Sequence, residues 1–206
     1  MSAGIDPSRR DVAIAGHLGD VDVARTGLAA IDPDVRATAL GALERLGVLQ
    51  DGEVAEALAD SELAVRRRAA EVAATHPAVD LLAALADADP RVVEVAAWAC
   101  GEHESNRDEI VEALIALAAD SDEPLIRESA VAALGAIGDD RAIHTIITAT
   151  GDKPAVRRRA VLALAPFLDA DEAHGVDDAI DRALEDRDWQ VRQAAEDLRR
   201  ITSSDV

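Results

Sequence analysis

The chain has 206 residues, of which 41 are acidic and 21 basic, and its formal net charge at pH 7 is −20. Hydrophobic residues make up 49%, which excludes a disordered chain, and aromatic residues make up 1%, which excludes a core of large rings. Nucleic-acid binding is disfavoured because phosphate contacts need a basic face. A core of Ala, Leu, Val and Ile favours thin layers of closely packed helices.

The N-terminal segment is short, charged and interrupted by Pro7, and it lacks the apolar stretch of a secretory leader. No run of about 18 apolar residues occurs, so we expect no membrane span. The single cysteine, Cys100, cannot form a disulfide within the chain or build a cysteine-based zinc site alone. These features predict a soluble, cytoplasmic protein.

In chain order, one pattern recurs at steps of about 30 residues, the spacing of helical repeats. It consists of a turn containing Asp, then Val or Ile, then Arg, with Ala three residues after the Arg. The arginines of the five regular copies are Arg36, Arg66, Arg127, Arg157 and Arg192. A sixth copy has Glu94 at the arginine position and Ala97 three residues later.

Each period is predicted to contain two helices. Apolar residues spaced three or four apart follow each turn, and another apolar segment precedes it, as at residues 54–58, 79–85 and 110–117. The Asp of the turn is a good N-cap, and Pro is tolerated in the first helical turn because its missing N–H had no partner there. Each period therefore reads as helix, tight Asp-rich turn, helix and looser loop.

The chain is predicted to form one repeat domain over residues 1–206. Asp6-Pro7-Ser8-Arg9-Arg10 aligns with Asp32-Pro33-Asp34-Val35-Arg36, so the N-terminus fits a half repeat that caps an open stack. The predicted segments are a cap over residues 1–19, repeats over 20–48, 49–76, 77–104, 105–138, 139–169 and 170–202, and a tail over 203–206.

The run Asp-Pro-x-Val-Arg-x-x-Ala-x-x-Ala-Leu resembles HEAT repeats, particularly the short HEAT-like type of phycobilisome lyases. The resemblance covers nearly the whole chain. It implies an all-α fold, a right-handed α-α superhelix (HEAT-like solenoid) of about six helical hairpins plus the N-terminal half-repeat cap.

The resemblance further implies a ladder in which a turn Asp and a helix Arg join neighbouring repeats. Arg suits this role because its planar fork can bind a carboxylate and exposed carbonyls together. The expected ladder residues are Arg36, Arg66, Arg127, Arg157, Arg192, Asp34, Asp60, Asp122, Asp152 and Asp186.

Many Asp, a single Lys and small apolar residues resemble the composition of proteins from extreme halophiles. Salt at about 1 M shortens the screening length to roughly 3 Å, which makes dense carboxylates tolerable. On this interpretation the melting temperature falls on dialysis from molar KCl into low salt, and equal melting temperatures would contradict it. The alternative is an acidic face for a basic partner.

No catalytic, cofactor or metal site is predicted. The His103-Glu104 pair is similar to the pairs that hold two irons in HEAT-repeat deoxyhypusine hydroxylase, but a di-iron site needs several such pairs and the chain has one. Cys100 falls in the core register, where a cysteine behaves as a small hydrophobe. Its alternative role, a nucleophile assisted by His103, needs a lowered thiol pKa.

Four residues are candidate partner contacts: Glu94, Trp98, Arg67 and Arg158. Both arginines belong to Arg triplets, which read as a ladder Arg plus ion pairs with neighbouring Asp, or alternatively as an anion-binding strip. Trp98 follows Ala97 and is expected to pack, although Trp is also enriched in binding hot spots.

These observations favour a non-enzymatic scaffold or adaptor, monomeric, that binds another protein or peptide on a concave helical surface. The alternative is a subunit or relative of a HEAT-repeat lyase that attaches a cofactor. A third interpretation, a nucleic-acid binder like the HEAT-like DNA glycosylases, needs a basic groove and aromatic contacts that the sequence lacks.

Overall fold

The computed structural model describes residues 6–103, 107–168 and 175–204, with side chains up to residue 200. These ranges contain helices and no β-strand, and none of their helices is both long and apolar enough to cross a membrane. The α-helices are α1 (Arg9–Leu18), α2 (Val21–Thr26), α3 (Pro33–Arg45), α4 (Asp51–Leu58), α5 (Leu63–Ala73), α6 (Pro90–Glu102), α7 (Asp108–Asp120), α8 (Pro124–Ile137), α9 (Ile143–Ala149), α10 (Pro154–Ala163), α11 (Val176–Leu184) and α12 (Trp189–Ser204). Single-turn 3-10 helices occupy Gly27–Ala29, Ala84–Ala86, Asp140–Ala142 and Ala165–Phe167.

The helices pair as hairpins: α2 packs on α3, α4 on α5, α7 on α8, α9 on α10 and α11 on α12. The later member of each pair also stacks on its counterpart, α3 on α5, α8 on α10 and α10 on α12. We call α3, α5, α6, α8, α10 and α12 the second helices. Pairing and stacking of this kind are the packing scheme of α-solenoids.

Proline and short polar side chains determine where the second helices begin. The first residues of α3, α6, α8 and α10 are Pro33, Pro90, Pro124 and Pro154. At this position the missing N–H of proline leaves no helical hydrogen bond unmade. The carboxylate of Asp32 accepts from the N–H of Asp34 at 2.9 Å and caps α3, as the turn aspartates were predicted to do.

The N-terminal helix begins two residues later than the aligned Asp-Pro pair predicts. Ser8 caps α1, because its hydroxyl accepts from the N–H of Asp11 and its own N–H donates to the Asp11 carboxylate at 3.1 Å. The arginine position of α1 is consequently Val12, whose N–H bonds the N-cap carbonyl as that of Arg36 does in α3.

The predicted helix over residues 79–85 is absent apart from the single turn at Ala84–Ala86. The carboxylate of Asp80 accepts from the N–H of Leu82 at 3.0 Å, a local bond that competes with helix formation. Leu81 is still only 1% exposed, so this segment buries apolar surface without being helical.

The chain divides into two compact units, residues 1–96 and 97–206, and α6 contributes to both. Each unit has an aliphatic core. Large buried side chains of the first unit include Leu40, Leu43, Val54, Val65 and Leu81. Those of the second unit include Leu114, Leu134, Ile146, Leu164 and Ile180. The expected core of small and branched aliphatic residues is thus confirmed for the described residues.

Small residues let the second helices approach closely. A Cβ atom placed on Gly135 of α8 would lie 2.6 Å from the Cβ of Ala163 in α10. A Cβ atom placed on Gly101 of α6 would lie 2.9 Å from the Cα of Ala133 in α8. Real Cβ atoms do not approach this closely, so these glycines are required by packing.

Candidate functional site

The arginine at the fourth position of a second helix binds the turn of the following hairpin. In α5, Arg66 donates from Nε and Nη2 to the two carboxylate oxygens of Asp87, at 2.7 and 3.2 Å. Its Nη1 donates at 2.9 Å to the carbonyl of Asp60, in the turn before its own helix. Four pairs have this arrangement in all: Arg36–Asp60, Arg66–Asp87, Arg127–Asp152 and Arg157–Asp186. These pairs, which we call the ladder, fix each turn against the preceding second helix within its unit.

The ladder pairs are shielded from water. In the Arg157–Asp186 pair the side chains are 7% and 15% exposed. The hydrogen bonds from Arg157 hold the pKa of Asp186 below its ordinary value, against the opposite effect of burial. The pKa values of Asp60, Asp87 and Asp152 are lowered in the same way by their arginines. The ladder is therefore ionised at neutral pH, and it is a structural device.

Two expected ladder acids, Asp34 and Asp122, form no ion pair in the part of the chain that the structure describes. Asp34 is the second residue of α3, so it lies inside the helix, whereas the ladder aspartates lie in the turn before a second helix. The arginine position one repeat before each of these acids is also occupied by valine, Val12 in α1 and Val93 in α6, and valine has no guanidinium. Asp87, which was not among the expected acids, accepts from its arginine instead.

The irregular third repeat is offset by one residue from the sequence alignment. α6 begins at Pro90, and its fourth residue, the arginine position in α3, α8 and α10, is Val93. Glu94 lies one position later, so its assignment to the arginine position is wrong. The alignment slipped because Ala96 and Ala97 are adjacent and either one fits the alanine of the pattern.

In the corrected alignment of the repeats, three of the candidate partner contacts occupy the same position in their respective helices. Arg67, Glu94 and Arg158 each follow directly after the arginine position of their helices. Trp98 lies four residues after Glu94 and thus on the same face of α6. Arg67 and Arg158 are exposed, Glu94 is half-buried and Trp98 is 42% exposed, so the core packing expected for Trp98 is wrong.

The third arginine of each triplet pairs with glutamate and not with the expected aspartate. Arg68 contacts Glu71 at 3.0 Å, and Arg159 approaches Glu128 at 3.8 Å. All four side chains are between 24% and 48% exposed, so each pair contributes little to stability. The middle arginine of each triplet is left facing solvent.

A groove between α10 and α12 contains an aromatic contact that the sequence interpretation missed. It is lined by Arg158, Leu162, Trp189, Gln190, Gln193 and Asp197. Trp189 is 65% exposed and is the first residue of α12, a position held by Pro or Leu in the other second helices. That departure from the repeat is the signal that could have identified it.

The residues considered for chemistry are not arranged as a reaction centre. Cys100 is 2% exposed, which confirms its core position. His103 is described, whereas its neighbour Glu104 lies outside the described residues. Across the described ranges, no three His, Cys, Asp or Glu side chains are grouped as metal ligands.

A histidine cluster joins three segments of the unit formed by residues 1–96. The ring of His76 lies 2.7 Å from Asp51 through Nδ1 and 3.0 Å from Glu44 through Nε2, and its side chain is 11% exposed. The hydroxyl of Thr75 donates to the second Glu44 oxygen at 2.7 Å. Burial works against the charged ring, but the hydrogen bonds to Asp51 and Glu44 outweigh it and raise the pKa of His76.

This cluster predicts that stability falls as the pH rises through neutrality. A raised folded-state pKa means that the charged ring stabilises the protein below the unfolded pKa of about 6.5. That contribution is lost as the pH rises through the folded-state value. The urea midpoint should therefore be higher at pH 6 than at pH 8.5, and the difference should shrink in His76→Gln. An unchanged difference in that variant would show that other groups cause the pH dependence.

Comparisons with known proteins agree with this geometry. Residues 78–165 match the family of HEAT repeats. A designed armadillo repeat protein in complex with the peptide (KR)4 superimposes with a TM-score of 0.66 at 17% identity, covering 86% of this chain and 97% of that chain. An engineered protein superimposes with a TM-score of 0.65 at 19% identity, covering 93% of this chain and 60% of that chain. No curated protein matches the sequence.

Stacked hairpins with close glycine and alanine contacts define the class, an all-α helical-repeat solenoid, and the structural neighbours belong to it as well. The recurring turn aspartate and helix arginine, together with the family match over residues 78–165, support a HEAT-like repeat protein. Folds of this class are typical of protein-interaction scaffolds.

Proposed function

We propose that the protein is a non-enzymatic interaction module that binds another protein or a peptide on its second helices. The observation that carries the proposal is the α10–α12 groove, in which the exposed Trp189 lies beside the exposed Arg158, which forms no ion pair with the residues that the structure describes. Trp and Arg are the residue types most enriched where interfaces concentrate their binding energy. Without a partner, an exposed indole ring is unfavourable, because its apolar surface stays in contact with water.

The floor of the groove supports a polypeptide ligand. Leu162 provides apolar surface, while Gln190 and Gln193 provide amide donors and acceptors that match a peptide backbone. Stacked helices present such contacts at regular spacing, which suits an extended chain. Trp98, on the face of α6 that carries Glu94, is a further contact within the proposal.

Charge favours a partner that is basic overall. At a net charge of −20 the protein attracts cationic polypeptides over long range and repels acidic ones. The designed armadillo neighbour was solved in complex with the basic peptide (KR)4, so a basic peptide is a ligand for which a protein of similar fold provides a precedent. The proposed partner therefore carries a net positive charge.

The decisive experiment is affinity purification from the native host with the whole protein and a double variant, Arg158→Ser with Trp189→Ala. Wild-type protein should recover one partner at fixed stoichiometry. The double variant should bind the purified partner at least about 30-fold more weakly, the loss typical of a hot spot.

The matched control is Leu18→Ser, which removes another exposed apolar side chain, 79% exposed, from α1. This control should bind as tightly as the wild type. Equal affinity of the double variant, or no partner at fixed stoichiometry, would overturn the proposal.

A further inference from the structure

Arg192 of α12 repeats one half of the ladder geometry. Its Nη1 donates to the carbonyl of Asp186 at 2.7 Å, as Arg66 does to the carbonyl of Asp60 at 2.9 Å. In the four ladder pairs the Nε and Nη2 atoms then bind an aspartate of the next turn. The Arg192 guanidinium is therefore oriented like those of the ladder arginines, because it makes the same hydrogen bond to the turn before its own helix.

The Nε and Nη2 edge of Arg192 is open. No carboxylate of the described residues accepts from it, and the only side-chain hydrogen bond that Arg192 makes with them is the one from Nη1. The residue is half-buried, which limits the water available to its guanidinium. A bidentate guanidinium edge positioned by one hydrogen bond loses little further freedom when a carboxylate binds.

Glu196 argues against a further repeat of the same kind as the occupant. It stands at the position where α3, α8 and α10 bury Leu40, Val131 and Val161. A charge at this position would be costly to bury against another apolar helix.

The geometry points to a carboxylate-binding site at Arg192, and we propose that it binds an aspartate in a turn of another polypeptide. The ladder shows the chemistry of the ligand. Asp60, Asp87 and Asp186 each also accept from the backbone N–H two residues further on, at 2.8 Å, so the aspartate that fits this edge belongs to a turn.

Trp189 and Glu196 define the rest of the surface that the partner must match. Trp189 lies one helical turn before Arg192 and provides an exposed apolar ring. Glu196 lies one turn after Arg192 and favours a basic group near the partner's aspartate. The site accordingly fits a turn that carries an aspartate and an apolar side chain, and a base beside them would add a contact with Glu196.

The carboxylate contact does not rest on the proposed function, because Arg192 does not line the α10–α12 groove, although Trp189 borders both surfaces. Loss of groove binding in the Arg158 and Trp189 variants would leave Arg192 intact. Loss of carboxylate binding at Arg192 would likewise leave Arg158 and Leu162 available in the groove.

The test is a nuclear magnetic resonance titration of the whole, isotope-labelled protein with an acetylated, amidated peptide that copies residues 57–65, which contain the turn aspartate Asp60. The Nε–H signal of Arg192, assigned with Arg192→Lys, should shift with a dissociation constant in the millimolar range, as a single small contact allows. The same peptide with Asp60→Asn should bind at least about tenfold more weakly, because it offers no charge-assisted bond.

Two variants complete the test. Arg192→Lys keeps the charge but loses the planar fork, so it should abolish the preference for Asp over Asn. Arg200→Gln removes an exposed charge from the same helix and should leave the preference unchanged. No shift at Arg192, or equal shifts with the Asp and Asn peptides, would overturn the proposal. A dimer that dissociates in Arg192→Lys would also overturn it, because it would make a second copy the occupant.

Discussion

Replacing Asp186 with alanine should lower the free energy of unfolding of the unit formed by residues 97–206 by about 3 kcal/mol, the cost of leaving one partner of a buried ion pair alone. The variant leaves Arg157, a residue 5% exposed, without the two carboxylate oxygens at 2.8 and 2.7 Å. It also removes the bond from the N–H of Asp188 that shapes the turn. Chemical denaturation measures the change directly.

Two further variants separate charge from turn geometry. Asp186→Asn retains an acceptor for the N–H of Asp188 and should cost less than Asp186→Ala. The double variant Arg157→Met with Asp186→Ala removes both charges and should recover part of the loss. If the double variant is no more stable than Asp186→Ala, the unpaired arginine is not the cause.

The control for this prediction is Arg200→Ala. Arg200 pairs with Asp197 on the surface, and their side chains are 69% and 50% exposed. Exposed pairs contribute at most about 1 kcal/mol, so this variant should change the denaturation midpoint little.

The lowered pKa values of the ladder aspartates also predict how the free energy of unfolding changes in acid. A carboxylate whose folded-state pKa is lowered stabilises the protein above its unfolded pKa of about 3.9. That contribution is lost as the pH falls through the folded-state value. Asp186→Ala should therefore flatten the decline in stability below about pH 4.

Replacing Gly135 with alanine should destabilise the protein by about 2 kcal/mol, even though alanine is the better helix former. The added Cβ atom would lie 2.6 Å from the Cβ of Ala163 and 2.7 Å from its Cα. The Cα belongs to the backbone and cannot rotate away, so α8 and α10 must separate. The cost of overpacking exceeds the gain in helix propensity of about 1 kcal/mol.

Gly41 of α3 is a matched control of opposite sign. A Cβ atom there would meet the guanidinium of Arg68 at 3.8 Å, an ordinary contact. Gly41→Ala should therefore stabilise the protein by about 0.5–1 kcal/mol. The variant Gly135→Ala with Ala163→Gly restores the space and should recover most of the loss. Stabilisation by Gly135→Ala alone would show that the two helices separate without cost.

Much of the fold is predictable because each hairpin is encoded locally. The spacing of apolar residues and the Pro or Asp at the turn identify α3, α8 and α10 from sequence alone, and the structure starts them at Pro33, Pro124 and Pro154. The prediction fails at residues 79–85, where a side chain bonds the nearby backbone in place of helical bonding.

The candidate surface was only partly predictable. Arg67 and Arg158 were identified from their place in the repeat, and both are exposed. Trp98 was expected in the core because it follows an alanine of the pattern. Its exposure depends on the helix phase, which a slip of one residue rotates by about 100°. Trp189 was missed because the other second helices begin with Pro or Leu, so the first helical position was read only as the start of a helix.

An all-α stack of hairpins with an aliphatic core follows from the amino-acid sequence, because periodicity and caps act between residues close in the chain. Which aspartate each arginine binds is visible only in the folded structure, since the partners lie 21 to 29 residues apart. That choice depends on how one hairpin stacks on the next. Arg192 is anchored to its own turn in the same way, and no carboxylate of the described residues accepts from its Nε and Nη2 atoms.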